Sequence, residues 1–379
     1  MAKGFKIDAK VYPTVEGNVF SILDMLNYFS KYGAMRISDL HLKVGTPPAY
    51  RIDGNLIRLR GEPLTEKQAD QLIYPLMTEE NLQKLDTEKC VDLSHRLGDL
   101  QFRINIFMEN DGICAAIRAL SMDIPTCESI GFPNDIWKEI INKKHGLVLF
   151  TGITGAGKST TIASILQRIN ETRGARVITI EDPVEYLFPQ ELCLISQREV
   201  GKHVTSFNAG LRELLREDPD IVFVGEMRDP ETISMTLMAA ETGHLVFSTL
   251  HTRDAIGSIT RILDYFPPDR QQEVQNQLSL SLACIVSQKL LPRKEGKGRV
   301  AAMEILNNNY ATANLIRLGK VEQLYSHLQT KTKNVPGENM IAIEAHLAML
   351  VKQGKVELLE AKKWANNLNC FADALQRMQ

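Results

Sequence analysis

The stretch Leu147-Val-Leu-Phe-Thr-Gly-Ile-Thr-Gly-Ala-Gly-Lys-Ser-Thr160 contains a complete phosphate-binding loop at residues 152–160. The apolar run before the loop, residues 147–150, predicts a buried strand. Apolar residues at helical spacing over 161–169 predict a helix after it. Strand, glycine loop and helix are the context that this motif requires, so we interpret it as functional rather than as a chance glycine-rich turn.

The composition of the loop explains how it would hold a nucleotide. Its glycines permit backbone conformations that a Cβ would obstruct, so several N–H groups can face one phosphate chain. The N-terminus of the next helix adds partial positive charge. The motif assigns Lys158 to the β- and γ-phosphates and the Ser159 hydroxyl to Mg²⁺. The expected nucleotide-binding residues are Gly152, Thr154, Gly155, Ala156, Gly157, Lys158, Ser159 and Thr160.

The composition limits the classes of protein to which the chain can belong. Its 379 residues predict two or three domains, and a net charge of −2 gives no support for binding nucleic acid or an anionic membrane. The six cysteines include no C-x-x-C pair, which argues against a thiolate zinc site and fits a reducing cytosol. We expect no signal peptide and no membrane-spanning segment.

The patterns along the chain predict four regions. Residues 1–18 are interpreted as an N-terminal extension, and residues 19–120 as a small mixed domain with an Asp53-Gly54 hairpin turn. Residues 121–134, with Pro125, Gly131 and Pro133, form the candidate linker. From residue 135 to 379, short apolar runs alternate with helical segments, which is typical of a parallel sheet covered on both faces, and a helical region starts at about residue 309.

Charged residues follow the apolar runs of this second domain at the points where the predicted strands end. Glu181 follows the run 177–180, Glu226 comes two residues after the run 221–224, and His251 follows the run 245–250. Because ligands of open α/β sheets bind at the carboxyl ends of the strands, these side chains are expected near a bound nucleotide.

Glu226 is the first candidate for the residue that orients the attacking water. The run Ile221-Val-Phe-Val-Gly-Glu226 resembles a Walker B strand, and ATP hydrolysis needs charge compensation by Mg²⁺ and an oriented water. We expect Glu226 also to act on the metal through a water, and we retain Glu181 as its competitor. Either carboxylate alone could equally be a loop cap or a surface ion pair.

His251 is a candidate sensor of the γ-phosphate or of a subunit interface. The alternative is a packed or capping histidine at a strand end. His244 and His251 bracket one strand, but seven residues of strand separate them too far for a shared metal. Arg103 and Arg118 lie on predicted paired strands of the first domain; they are either surface charges or arginine fingers supplied to a nucleotide site.

Together these motifs resemble the secretion and type IV pilus ring ATPases, and within them the pilus retraction ATPases. The resemblance runs from about residue 19 to about residue 365. Besides the phosphate-binding loop it rests on Ser38-Asp-Leu-His-Leu42, Phe102-Arg-Ile-Asn105, Thr179-Ile-Glu-Asp-Pro-Val-Glu185, Val224-Gly-Glu-Met-Arg-Asp229, Ala240-Glu-Thr-Gly-His-Leu-Val-Phe247, Leu250-His-Thr252 and Asn314-Leu-Ile-Arg317.

The resemblance implies an α/β fold, with a PAS-like α+β N-terminal domain followed by a RecA-like P-loop ATPase domain with C-terminal helices. It implies ATP and Mg²⁺ as ligands, a homo-hexameric ring, and a cytoplasmic location at the inner membrane below a pilus platform protein. Paralogous pilus ATPases are possible partners. In this family Arg103 and Arg118 fall where arginines reach the γ-phosphate, and Glu226, Glu181 and His251 fall at catalytic positions.

Several functions remain open at this point. A pilus assembly or type II secretion ATPase usually has a longer N-terminal region and a four-cysteine zinc motif, and the chain has neither. A non-hydrolysing accessory ring subunit would not need all of Lys158, Ser159, Glu226 and His251. A motor acting on nucleic acid would need a basic stripe with interleaved aromatic residues, which the sequence lacks.

Overall fold

The structure is a computed structural model that describes residues 4–32, 37–52, 55–98, 100–120, 124–296, 298–331 and 339–377. The chain divides into two units, Met1–Asp123 and Ile124–Gln379, called unit 1 and unit 2 below. The predicted hairpin turn Asp53-Gly54 lies outside the described residues.

Unit 1 is built on an antiparallel sheet with strand order β5-β4-β3-β8-β7-β6 in the described part of the chain. The six strands are β3 (Ile37–Leu42), β4 (Ala49–Ile52), β5 (Asn55–Arg58), β6 (Cys90–Leu97), β7 (Leu100–Glu109) and β8 (Gly112–Leu120). A short pair, β1 (Tyr12–Pro13) and β2 (Val19–Phe20), precedes them. The helices are α1 (Ile22–Tyr32), α2 (Glu66–Ile73) and α3 (Glu79–Glu88), with a 3₁₀ turn at Tyr74–Leu76.

Alternation along the strands places the core of unit 1 on one face of this sheet. Phe102, Ile104 and Ile106 of β7 are buried there, and Phe29 of α1 meets Phe102 edge to face. The segment predicted to be an extension contributes Tyr12, which is 1% exposed and belongs to the same core. Polar and charged residues of β7 and β8 therefore lie on the opposite face.

Unit 2 contains the mostly parallel sheet that the sequence predicts, with strand order β11-β10-β12-β13-β9-β14-β15 in the described residues. Among the strands that the structure describes in this sheet, only β15 runs antiparallel to its neighbour. The strands are β9 (Gly146–Thr151), β10 (Arg176–Glu181), β11 (Leu194–Glu199), β12 (Ile221–Val224), β13 (Leu245–Leu250), β14 (Leu282–Pro292) and β15 (Arg299–Asn307).

Helices cover both faces of this sheet. Before the C-terminal region they are α4 (Cys127–Ile130), α5 (Ile136–Asn142), α6 (Lys158–Thr172), α7 (Phe207–Leu214), α8 (Pro230–Glu241), α9 (Ala255–Asp264) and α10 (Pro268–Ser281). Successive residues of β9 enter two different cores: Leu147 and Leu149 pack with α7 to α10, and Val148 and Phe150 pack with α5 and α6. Burial on both faces explains the continuous apolar runs of the sequence.

The predicted C-terminal helical region consists of α11 (Tyr310–Arg317), α12 (Gln323–Lys331), α13 (Ile343–Lys352), α14 (Leu358–Trp364) and α15 (Leu368–Arg377). Leu347 and Phe371 form a separate cluster there with Leu291 of β14 and Val300 of β15. Among the described residues, no helix is long and apolar enough to cross a membrane.

Candidate nucleotide-binding and catalytic site

The phosphate-binding loop leaves β9 in the middle of the sheet of unit 2, between β13 and β14, and leads into α6. Gly152, Gly155 and Gly157 have φ angles of +145°, +79° and +87°, a region that residues with a Cβ rarely adopt. A Cβ on Gly152 would overlap the carbonyl oxygen of Gln288 on β14. The glycines that the sequence singles out are therefore required by backbone conformation, and Gly152 also by packing.

Lys158 lies inside the loop, with 8% of the residue exposed. Its Nζ donates hydrogen bonds to the carbonyl oxygens of Gly152 at 2.8 Å and Ile153 at 3.3 Å. Burial lowers the pKa of Lys158, while the negative charges of Glu226 and Glu185 act in the opposite direction. An ammonium group held here can meet an anion that the loop encloses.

The first turn of α6 carries three hydroxyl residues. Ser159 is partly buried at the position that the motif assigns to Mg²⁺. The Thr160 hydroxyl lies 2.8 Å from the Tyr186 hydroxyl, and burial raises the pKa of Tyr186. Thr161 donates to the carbonyl oxygen of Gly157 at 3.1 Å. Tyr186 is a residue that the sequence pattern did not single out, because it lies in the loop between β10 and β11 rather than at a strand end.

A chain of polar contacts joins the loop to three strand ends. The Thr154 hydroxyl is 3.5 Å from Nδ1 of His251, whose Nε2 is 3.4 Å from Oε1 of Glu226. Oε2 of Glu226 accepts a hydrogen bond from Nε of Arg228 at 2.7 Å, and Arg228 also reaches Asp182 at 3.3 Å. The structure thus brings together the predicted Thr154, His251 and Glu226, and adds Arg228 and Asp182.

Glu226 combines partial exposure with fixed partners. Its side chain is 20% exposed, so that water can reach it while Arg228 donates to one oxygen and His251 lies beside the other. Arg228 could have been selected from the sequence, because it follows Glu226 by two residues at the same strand end. Asp229, from the same run, instead caps α8 by accepting a hydrogen bond from the Thr232 N–H at 2.8 Å.

Glu181, the competing carboxylate, has a different environment. It is 6% exposed at the end of β10, where it accepts hydrogen bonds from Thr179 at 2.7 Å and Gln197 at 3.5 Å. Burial raises the pKa of Glu181 to about 7. Near neutral pH this carboxyl is therefore partly protonated, which weakens it as a base.

Arg103 and Arg118 occupy directly opposed positions on β7 and β8 of unit 1. Both residues are exposed on the face of the sheet away from the core. Arg118 donates to Oδ1 of Asp39 at 2.8 Å, and Asp39 is 6% exposed. Burial of Asp39 opposes ionisation, but the hydrogen bonds from Ser38 and Arg118 outweigh it and lower the pKa of this carboxyl. The two arginines therefore form a neighbouring pair of cations on unit 1.

Comparison with known proteins identifies the family. The family model described as type II/IV secretion system protein matches residues 34–346. The chain belongs to this family. The type IV pilus retraction ATPase PilT of Pseudomonas aeruginosa is 44% identical over 310 residues, which are 82% of this chain and 89% of that protein.

Two further relatives agree with this assignment. A twitching motility protein of Neisseria gonorrhoeae is 40% identical over 321 residues, covering 84% of each chain. A crystal structure of the pilus retraction motor PilT with bound ADP superimposes with a TM-score of 0.83 at 42% identity, over 92% of this chain and 98% of that one. This member of the type II/IV secretion family is thus an ATPase of the retraction type, and the resemblance inferred from its motifs is confirmed.

Proposed function

We propose that the chain binds ATP with Mg²⁺ at the loop 152–160, hydrolyses it with Glu226, and uses the energy to drive type IV pilus retraction and twitching motility. The observation that carries this proposal is the contact chain Thr154–His251–Glu226, which connects the phosphate-binding loop to a partly exposed carboxylate. The similarity to retraction ATPases along most of their length supports the cellular role.

The residues of the loop fit a magnesium nucleotide. Mg²⁺ prefers oxygen ligands and is commonly bound by one or two protein groups together with substrate phosphates. The Ser159 hydroxyl is such a group, and Glu226 would act on the ion through a water. Within the described residues no cluster of three or more His, Cys, Asp or Glu is arranged as a metal site. When bound, the ion offsets phosphate charge.

The chemistry left to the protein is to position the reactants and to stabilise charge. Lys158 and the N–H groups at the start of α6 hold the phosphates, and Glu226 orients a water toward the γ-phosphorus. Arg228 and His251 keep the Glu226 carboxylate in place. His251 also contacts Thr154 of the loop. If the γ-phosphate displaces the loop, the movement would be passed to Glu226 through the His251 side chain.

The assembly that we propose is a homo-hexameric cytoplasmic ring at the inner membrane, with a pilus platform protein and paralogous pilus ATPases as its partners. Unit 2 corresponds to the RecA-like ATPase domain with C-terminal helices, and unit 1 to the PAS-like domain. The proposed boundaries are 1–18, 19–120, 121–134 and 135–379. The exposed cationic pair Arg103 and Arg118 is suited to complete a nucleotide site from a neighbouring subunit.

Glu226→Gln tests the enzymatic part of the proposal. The variant should bind ATP as the wild type does, because the loop is unchanged, while phosphate release falls by roughly 100-fold or more with the loss of the carboxylate. Glu295→Gln, in the exposed turn between β14 and β15, is the control and should hydrolyse normally. Normal turnover by Glu226→Gln would refute its role and favour Glu181.

The same substitution in the chromosomal copy tests the cellular part. Abundant surface pili with lost twitching would mean that pili are assembled but not withdrawn, as a retraction motor requires. Cells without pili, or cells that no longer export a protein, would instead identify an assembly or secretion ATPase.

A further inference from the structure

Gln288 of β14 touches both ends of the phosphate-binding loop. Gln288 is 3% exposed. It directly follows Ser287, whose pairing with Thr151 is the last one between β14 and β9. The side-chain hydroxyls of that last pair also meet each other. β14 therefore runs beside β9 up to the point where the loop begins, and Gln288 is the first of its residues that faces the loop instead of the strand.

The backbone of Gln288 closes the first end of the loop. Its carbonyl oxygen occupies the space that a Cβ on Gly152 would need, and that same Cβ would be 3.0 Å from Cβ of Ala156. Gly152 is thus enclosed between β14 and the loop itself. A side chain cannot be accommodated there unless one of the two moves.

The side chain of Gln288 holds the other end. Its Oε1 accepts a hydrogen bond from the Thr161 hydroxyl at 3.0 Å, and that hydroxyl also reaches the carbonyl oxygen of Gly157 at 3.1 Å. A hydroxyl has one hydrogen, so the two acceptors share it in a three-centre bond. Nε2 of Gln288 lies 3.1 Å from the point where a Cβ on Gly157 would be. The amide therefore packs against Gly157 and bonds to the first turn of α6.

The N–H groups that would meet the phosphates belong to this first turn, because the N-terminus of a helix is where such groups remain unpaired. Their direction depends on how Gly157, with its φ of +87°, is held relative to Thr161. We propose that Gln288 is a positioning residue for nucleotide binding: its carbonyl fixes Gly152 and its amide fixes Gly157 and Thr161, so that the loop is already shaped to receive the phosphates.

This inference rests on the proposed nucleotide site. Gln288→Met retains the length of the side chain and removes the acceptor for Thr161. If Gln288 positions the loop, the dissociation constant for a fluorescent ADP analogue should rise by about tenfold, the effect of one lost hydrogen bond. KM for ATP should rise more than kcat falls, because Gln288 touches none of the reacting atoms.

A matched control separates positioning from general stability. Val286 lies two residues earlier on the same strand and face, is buried, and pairs with Phe150 of β9. Val286→Ala should lower the melting temperature by leaving a cavity, but should leave ADP affinity unchanged well below that temperature. A merely structural Gln288 would behave like Val286, and unchanged ADP affinity in folded Gln288→Met would overturn the proposal.

Two further variants keep the test decisive. If Gln288→Met does not fold, Thr161→Val removes the same bond from the other side and should weaken ADP binding, whereas Thr161→Ser, which retains a hydroxyl, should restore it.

Lys158→Ala checks the underlying nucleotide site. If Lys158→Ala loses ADP binding and the Gln288 and Thr161 variants do not, only this inference fails; if Lys158→Ala also binds normally, the proposed nucleotide site itself is wrong.

Discussion

Glu226 and Glu181 show how the environment separates two carboxylates that follow neighbouring strands. Glu226 is partly open to water and has Arg228 and His251 as partners, whereas Glu181 is enclosed and has only hydroxyl and amide donors. Burial disfavours the ionised form of Glu181. Glu226 combines access to water with a fixed partner in Arg228, which suits a residue that orients water.

The raised pKa of Glu181 has a consequence for stability. Burial raises the pKa of Glu181 to about 7 from the ordinary value of 4.5, so between these pH values the folded chain holds a proton that the unfolded chain has released. The stability that the protonated Glu181 contributes is fully present below pH 4.5. It is lost as the pH rises through about 7.

Glu181→Gln should therefore flatten the pH dependence of unfolding. The amide can accept the same bond from Thr179 without ever ionising. Between pH 5 and pH 8 the wild type should lose up to about 3 kcal/mol more free energy of unfolding than the variant. Urea titrations at both pH values measure this, and equal losses would contradict it. Glu304, buried with a pKa also raised to about 7, should give a second and additive effect on substitution by Gln.

At the scale of elements, the close approach of β14 to β9 constrains the loop. The two strands are parallel, and β14 continues past the end of β9. The residues of β14 beyond the ladder consequently form one wall of the phosphate-binding loop. Because of this wall, glycine is required at position 152 by the lack of space for a Cβ as well as by its φ angle.

Gly152→Ala should displace the loop. The added Cβ would overlap the Gln288 carbonyl, and a φ of +145° is itself unfavourable for alanine. We expect ADP affinity to fall by roughly tenfold or more, as measured by fluorescence titration. Gly174→Ala is the control, because a Cβ there meets only the Leu192 carbonyl oxygen at an ordinary 3.6 Å. If both variants bind ADP equally well, β14 does not constrain the loop.

At the scale of the whole molecule, the candidate cations and the nucleotide loop belong to different units. Arg103 and Arg118 are fixed on the sheet of unit 1 by the β7–β8 register, and Lys158 and Glu226 are fixed on the sheet of unit 2. In a ring, one subunit can supply the arginines to the loop of another.

Mixing two inactive variants tests this arrangement. Lys158→Ala and Arg103→Ala should each lose most ATPase activity. If the arginine acts in trans, an equimolar mixture that exchanges subunits should recover about a quarter of wild-type turnover, because that share of sites has both groups intact. Arg96→Ala, an exposed arginine on β6 of the same sheet, should remain active alone. Absence of any recovery in exchanged rings would argue against a contribution in trans.

The sequence predicted the elements that have strong local signals. The runs 221–224 and 245–250 are strands with those same bounds, and the runs 147–150 and 177–180 are strands extended by one residue at each end. Continuous burial on both faces produces such runs. Apolar residues at helical spacing over 19–32 also predict a helix. The observed helix α1 begins only at Ile22, because Val19–Phe20 pairs with β1.

Two of the edge strands were missed because their residues are only partly buried. β6 and β11 lie at the edges of their sheets and have mixed polar patterns, which resemble loops. β14 and β15 were also not predicted, although their residues are mostly buried. β14 pairs with β9, which lies far earlier in the sequence, so no local pattern marks that contact.

By itself the sequence determined the phosphate-binding loop, the sheet class and the carboxylates at the strand ends, because each depends on the order of residues within a short segment. Only the tertiary structure placed Gln288 against both ends of the loop, brought His251 next to Glu226, and enclosed Glu181 beside Gln197. These contacts depend on which strands become neighbours in the sheet, and that order is set by packing of the whole unit rather than by any local sequence.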